Sequence, residues 1–213
     1  MSPLWLLLVL IALGAVSGAA AFRGRRETAT LRRLARGMRL NFAGTDLIGV
    51  HGRYNSLGLI RRGHQRHARN VLYGSTDAGL VAVFRYSYDL GFGAGRTTRQ
   101  VWVAVLETAR AQRPWRVAVP DCRRGDARPD APDAGPVPAA EHAATLRRLQ
   151  APAIRELLAR SPRGAEWEAC GRVLALTAPA DGRPETPERL LKMLLEAGRR
   201  LEEAASAEGA AAG

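Results

Sequence analysis

Residues 3–22 carry no formal charge, and seven arginines follow between Arg23 and Arg39. No other feature of the chain constrains its folding as strongly. A helix rises about 1.5 Å per residue, so a segment of this length reaches roughly 30 Å, the thickness of a bilayer's hydrocarbon core. Leu4, Trp5, Leu6, Leu7, Leu8, Val9, Leu10, Ile11 and Leu13 make its first half strongly apolar, whereas Gly14, Ala15, Ser17, Gly18 and Ala19 to Ala21 make its second half small. Trp5 is placed to sit at an interface, and Arg23, Arg25 and Arg26 are placed to stop the helix among headgroups. The sequence therefore predicts a transmembrane anchor over residues 1–22. No basic side chain precedes it, so the positive-inside rule puts the N-terminus outside and the rest of the chain in the cytoplasm.

A cleaved signal peptide is the alternative, with Leu4–Leu13 as its apolar region and Ala19-Ala20-Ala21 as the cleavage site; the following domain would then be exported. Met1-Ser2-Pro3 supplies no basic leader, and the arginines behind the segment oppose translocation, which favours the anchor. Gly14 and Gly18 form a small-xxx-small spacing that could let two helices approach closely, although an Ala/Gly-rich stretch also produces it by chance.

The 213 residues are 46% apolar and 24% charged, a globular mix that excludes wholesale disorder and a multi-span membrane protein. Two cysteines exclude a disulfide-knit fold and a Cys-rich metal module. The net charge of +12 is concentrated: residues 23–70 hold 12 Arg against Glu27 and Asp46, a net of +10. The single lysine is Lys192.

Residues 23–41 read as a basic juxtamembrane helix. Leu31, Leu34, Ala35 and Met38 repeat at helical spacing, Arg32, Arg36 and Arg39 form the opposite stripe, and Asn41 is the expected stop. Arg23, Arg25, Arg26, Arg32, Arg36 and Arg39 are the candidate contacts to the membrane surface, each worth about 1 kcal/mol beside anionic headgroups. A solvated face on a stalk helix accounts for the same stripe.

Residues 42–205 predict an α+β domain, an antiparallel sheet with helices packed on one side. Asn70–Gly74 reads as a short strand. From Leu80 to Asp89 the side chains alternate, with Leu80, Ala82, Phe84, Tyr86 and Tyr88 on one face and Val81, Val83, Arg85, Ser87 and Asp89 on the other. Thr97 to Leu106 follows, with Val101, Val103 and Val105 opposite Trp102, Ala104 and Leu106. A separate strand is expected over 115–119, and short connections imply antiparallel neighbours. Residues 120–140 read as a flexible loop. Ile154, Leu157 and Leu158 mark a short helix ended by Pro162, and residues 167–176 suggest a small hairpin around Gly171. Thr186-Pro187-Glu188 opens a helix whose core face is Leu190, Leu191, Leu194, Ala197 and Leu201. The tail at 206–213 is expected to be disordered.

Asn70-Val71-Leu72-Tyr73-Gly74, the run from Gly79 through Phe84-Arg85-Tyr86-Ser87-Tyr88, Gly91-x-Gly93 and Gln100-Val101 resemble a group of bacterial single-pass membrane proteins to which no activity is assigned. The resemblance is sharp over residues 70–106. It implies an N-terminal anchor in the inner membrane, a basic stalk, a strand-rich domain and a closing Pro-capped helix. This chain departs from the group in carrying Arg85 where an acidic residue is common.

Motifs for chemistry are sparse. Gly91-x-Gly93-x-Gly95 lacks the Lys of a phosphate loop and precedes a strand, so a hairpin loop is expected there. His64 and His67 lie among Arg61, Arg62, Arg66 and Arg69, a poor setting for a metal cation, and read as a solvated loop. His51 and His142 stand alone. Cys122 and Cys170 would be free thiols in a cytoplasm and could pair if the domain were exported. No catalytic, cofactor or metal residues are proposed. The expected partners are the bilayer, anionic lipid headgroups and an unidentified protein; the arginines of 61–69 could touch nucleic-acid phosphates, but no recognition motif accompanies them. The expectation is a membrane-anchored, non-catalytic interaction domain, with an exported domain or an enzyme lacking a recognisable motif as the alternatives.

Overall fold

The computed structural model describes residues 5, 24–119, 152–183 and 185–211. The predicted anchor, Trp5 apart, and the predicted loop at 120–140 lie outside these, as do Arg23, Cys122 and His142. Among the described residues no helix is long and apolar enough to cross a membrane.

Alternation of side chains produces an antiparallel meander of five strands in chain order: β1 (Asn41–Thr45), β2 (His64–Thr76), β3 (Gly79–Leu90), β4 (Thr97–Ala118) and β5 (Glu166–Pro179). Helix α1 covers residues 24–37. Two one-turn helices, α2 (Val50–Arg53) and α3 (Gly58–Arg61), lie between β1 and β2, α4 (Pro152–Arg160) precedes β5, and α5 (Thr186–Ala211) ends the fold. The β2–β3 turn is Asp77-Ala78, closed by the pair Thr76 and Gly79. Gly79 has φ +130°, and a Cβ there would run into the carbonyl of Glu107.

The expected α+β class holds, with several boundaries moved. Asn41 opens β1 instead of simply ending the helix. Residues 64–69, read as a solvated loop, are the first part of β2, because pairing with Arg85, Tyr86, Ser87 and Asp89 of β3 satisfies their backbone without any apolar pattern. The two strands expected at 97–106 and 115–119 are one, β4. The hairpin expected around Gly171 is a single bent strand, β5, both of whose arms pair with β4. Register shifts between Glu107, Gln112 and Trp115, with Gly171 at φ +58°, bend the ribbon. The bend is sharp: the Thr177 hydroxyl lies 3.4 Å from the Glu166 carbonyl, 11 residues away along the same strand, where a straight strand would separate them by about 36 Å. The helix α5 runs to Ala211, through most of the tail expected to be disordered.

The sheet buries both faces. On one, Leu31 and Ala35 of α1, Leu157 of α4 and Leu190, Leu191, Leu194 and Ala197 of α5 pack on Leu72, Val81, Val83, Trp102, Ala104 and Leu106. All three longer helices thus lie on one side, as expected for α4 and α5; α1, read as a juxtamembrane helix apart from the domain, joins them by burying Leu31 and Ala35. On the other face, Val50, Tyr54, Leu57, Leu59 and Ile60 cover Val71, Ala82, Phe84, Tyr86, Val103, Val105 and Ala175. This second core was not anticipated, because the 46–62 connection has no helical or strand periodicity.

Candidate functional site

The first core does not reach the end of its sheet face. Leu31 and Ala35 seal α1 over Leu72, Val81 and Val83, but the helix's earlier turns present Gly24, Thr28 and Ala29, which are too small to fill the space beneath them. The strand residues there are polar: Arg85 and Ser87 of β3 and Gln100 of β4, which pairs with Ser87. The result is a cleft of about 760 Å³, also lined by Arg25, Glu27, Arg32, Arg69 and Asn70.

A bulge delivers the last two. The β2–β3 register shifts between Arg69 and Leu72, and Asn70 adopts φ +53°, a left-handed conformation that asparagine tolerates better than most residues. Its side-chain amide donates to Glu27 Oε1 at 3.2 Å. Arg85 Nη1 donates to both Glu27 oxygens, at 3.0 and 2.9 Å, and Arg85 Nη2 donates to Gln100 Oε1 at 2.6 Å. Glu27 therefore pins the start of α1 to the sheet. Four guanidinium groups, those of Arg25, Arg32, Arg69 and Arg85, share the cleft with the one carboxylate of Glu27, a net of +3. The guanidinium of Arg32 lies 5.5 Å from the centroid of the Phe42 ring.

Of the six arginines that the sequence marks for the membrane surface, the structure brings Arg25 and Arg32 into this cleft. Arg36 donates to the Arg32 carbonyl at 3.4 Å. Arg39 ends α1 at φ +55°, beside the Leu40 N–H to Ala35 carbonyl bond of 2.8 Å that closes the helix. Arg26 lies outside the cleft lining. Arg69 and Arg85 enter this cleft from outside the basic stripe; the mark of Arg85 in the sequence is its alternating strand position, facing the same side as Val81 and Val83.

The histidines do not converge. His64 stacks on the exposed Phe92 with ring centroids 4.6 Å apart, at the tip of the Gly91–Gly95 loop, which connects β3 to β4 as a hairpin loop. His51 lies on the opposite face, with Nε2 3.4 Å from the Tyr86 hydroxyl and Nδ1 3.9 Å from Asp46; burial and then Arg66 push its pKa below the ordinary value. Burial likewise pushes the Tyr86 phenol up to about 12, and its hydroxyl donates to the Ile60 carbonyl at 2.8 Å. Cys170 is a partly buried free thiol against the second core. Among the described residues no group of three or more His, Cys, Asp or Glu is poised to hold a metal.

No protein-family model matches the chain, and no curated protein matches it. Among solved structures, the fold is similar to that of the mycobacterial trehalose monomycolate transport factor A, TtfA, with a TM-score of 0.58 at 11% sequence identity. The match covers 82% of this chain and 94% of that one. At this identity the likeness establishes a shared fold.

Proposed function

We propose that this chain is a single-pass, membrane-anchored interaction domain, held on the cytoplasmic face of a bacterial inner membrane and acting by binding instead of catalysis. The observation that carries this reading is the distribution of charge about residues 3–22: no basic side chain on Met1 or Ser2 and seven arginines by residue 39 behind them. The resemblance of residues 70–106 to single-pass bacterial membrane proteins supports it, and so does the placement of Arg25 and Arg32 in a cationic cleft on the helix next to the apolar segment. The likeness to the transport factor concerns the fold alone and does not extend to that protein's role or cargo.

Fusion reporters test the topology. A C-terminal green fluorescent protein should fluoresce and a C-terminal alkaline phosphatase should stay inactive. Active phosphatase with a dark fluorescent fusion, together with a mature N-terminus near Phe22 by mass spectrometry, would establish the exported domain in its place. Crosslinking in intact cells, followed by detergent purification, identifies the protein partner that this reading requires.

A further inference from the structure

The cleft between α1 and the sheet is more cationic than the fold needs. Glu27 satisfies Arg85 and Asn70 together, and Arg32 rests over Phe42. Arg25 and Arg69 make no ion pair with any described acidic residue. Guanidinium groups gathered this way repel one another and are stabilised by a shared anion. Their planar forks match the oxygens of a phosphate and bind it in bidentate fashion. The hydroxyls of Thr28 and Ser87 and the amide NH₂ of Gln100, whose Oε1 is taken by Arg85, supply neutral donors around the same space. A volume of about 760 Å³ is in the range of small-molecule pockets.

We propose that this cleft is a phosphate-binding site, taking the phosphate of an anionic lipid headgroup or of a small soluble ester, with Arg25 and Arg69 as direct ligands and Arg85 held ready by Glu27. Binding of a soluble phosphate is independent of membrane topology. Only the lipid source rests on the anchored reading, under which the lining from Gly24 to Arg32 stands within roughly 15 Å of the span's end.

The test uses the full chain in uncharged detergent micelles, titrated calorimetrically with inorganic phosphate and, separately, with short-chain phosphatidic acid. Saturable binding of the lipid alone assigns a headgroup site; saturable binding of both assigns a site for soluble phosphate as well. Either supports the proposal if Arg25→Gln with Arg69→Gln weakens it tenfold or more, the expected scale for losing charged hydrogen bonds. The charge-matched control, Arg155→Gln with Arg163→Gln, should leave affinity within twofold. Binding of neither probe, or equal loss in both double variants, overturns the proposal. Should the cleft double variant fail to melt cooperatively, the single variants Arg25→Gln and Arg69→Gln decide: each should weaken binding about threefold or more, and unchanged affinity in both overturns the proposal. The fusion reporters read topology independently of this outcome.

Discussion

The two faces of the sheet are closed by different means. On one, helices α1, α4 and α5 lay apolar stripes over the strands, and regular spacing does the work. On the other, the 46–62 connection has no regular spacing and is held down by polar side chains from distant strands. Glu168 accepts the N–H groups of Gly58 and Leu59 at 2.5 and 3.2 Å, taking up the free donors at the start of α3. Asp46 accepts the N–H of Val50 at 3.0 Å, Arg66 and Tyr86 both donate to the Ile60 carbonyl, and Arg62 with Arg116 grips Glu166. Burial alone can close a face when the chain repeats. An irregular segment needs its backbone groups satisfied one by one before its leucines and tyrosine can be buried.

Core truncations should break both faces to a similar extent. Phe84→Ala on the irregular side and Leu191→Ala on the helical side each remove a fully buried side chain, and each should cost about 3–5 kcal/mol in chemical denaturation. A loss under about 1 kcal/mol at Phe84 would mean that the second core is not a core.

Glu168→Ala should separate the faces. It leaves the first two N–H groups of α3 unpaired and should cost about 2 kcal/mol. Amide exchange should quicken at Gly58 and Leu59 while α5 stays protected; equal quickening in α5 would dissolve the contrast. Tyr86→Phe takes away one buried hydroxyl and its bond to Ile60, a loss of about 1 kcal/mol measurable in the same melts.

Acid should act through Asp89, which is 2% exposed and lies 2.6 Å from the Thr98 hydroxyl and 2.5 Å from Arg96. The Thr98 hydrogen bond, then Arg96, holds its carboxyl below the ordinary 3.8. Its contribution is therefore present above that value and lost as pH falls through the lower, folded value. Melting temperature followed down the acid limb should fall less steeply for Asp89→Asn than for the wild type. The smallest effect should come from Arg39→Gly. Arg39 holds φ +55° at the end of α1, and glycine there should stabilise the fold by about 0.5–1 kcal/mol.

Much of the helical face is readable from the chain. Val81 and Val83 against Ala82, Phe84 and Tyr86, or Trp102 and Leu106 against Val103 and Val105, name both sides of the sheet through period-two alternation alone. Leu190, Leu191 and Leu194 name the face of α5 through helical spacing. The first part of β2 was not readable, because His64, Gln65, Arg66 and Arg69 look like solvent-exposed loop residues; backbone pairing to β3 makes them a strand. The joining of the β4 segments and the bend at Gly171 were equally hidden, since a bulge leaves no periodic mark.

The candidate cleft divides along the same line. Arg25 and Arg32 stand out in the sequence as part of a basic stripe, whereas Arg69 and Arg85 lie 44 and 60 residues beyond Arg25 and join it only through a bulge and a strand register.

By itself the amino-acid sequence determined the alternation of the central strands, the apolar stripes of the helices and the concentration of positive charge behind residue 22, because each is set by neighbours a few positions apart. Tertiary structure alone decided the second core, the bend in β5 and the meeting of four arginines around Glu27. Those depend on which distant backbone and side-chain groups satisfy one another, and spacing along the chain does not encode that.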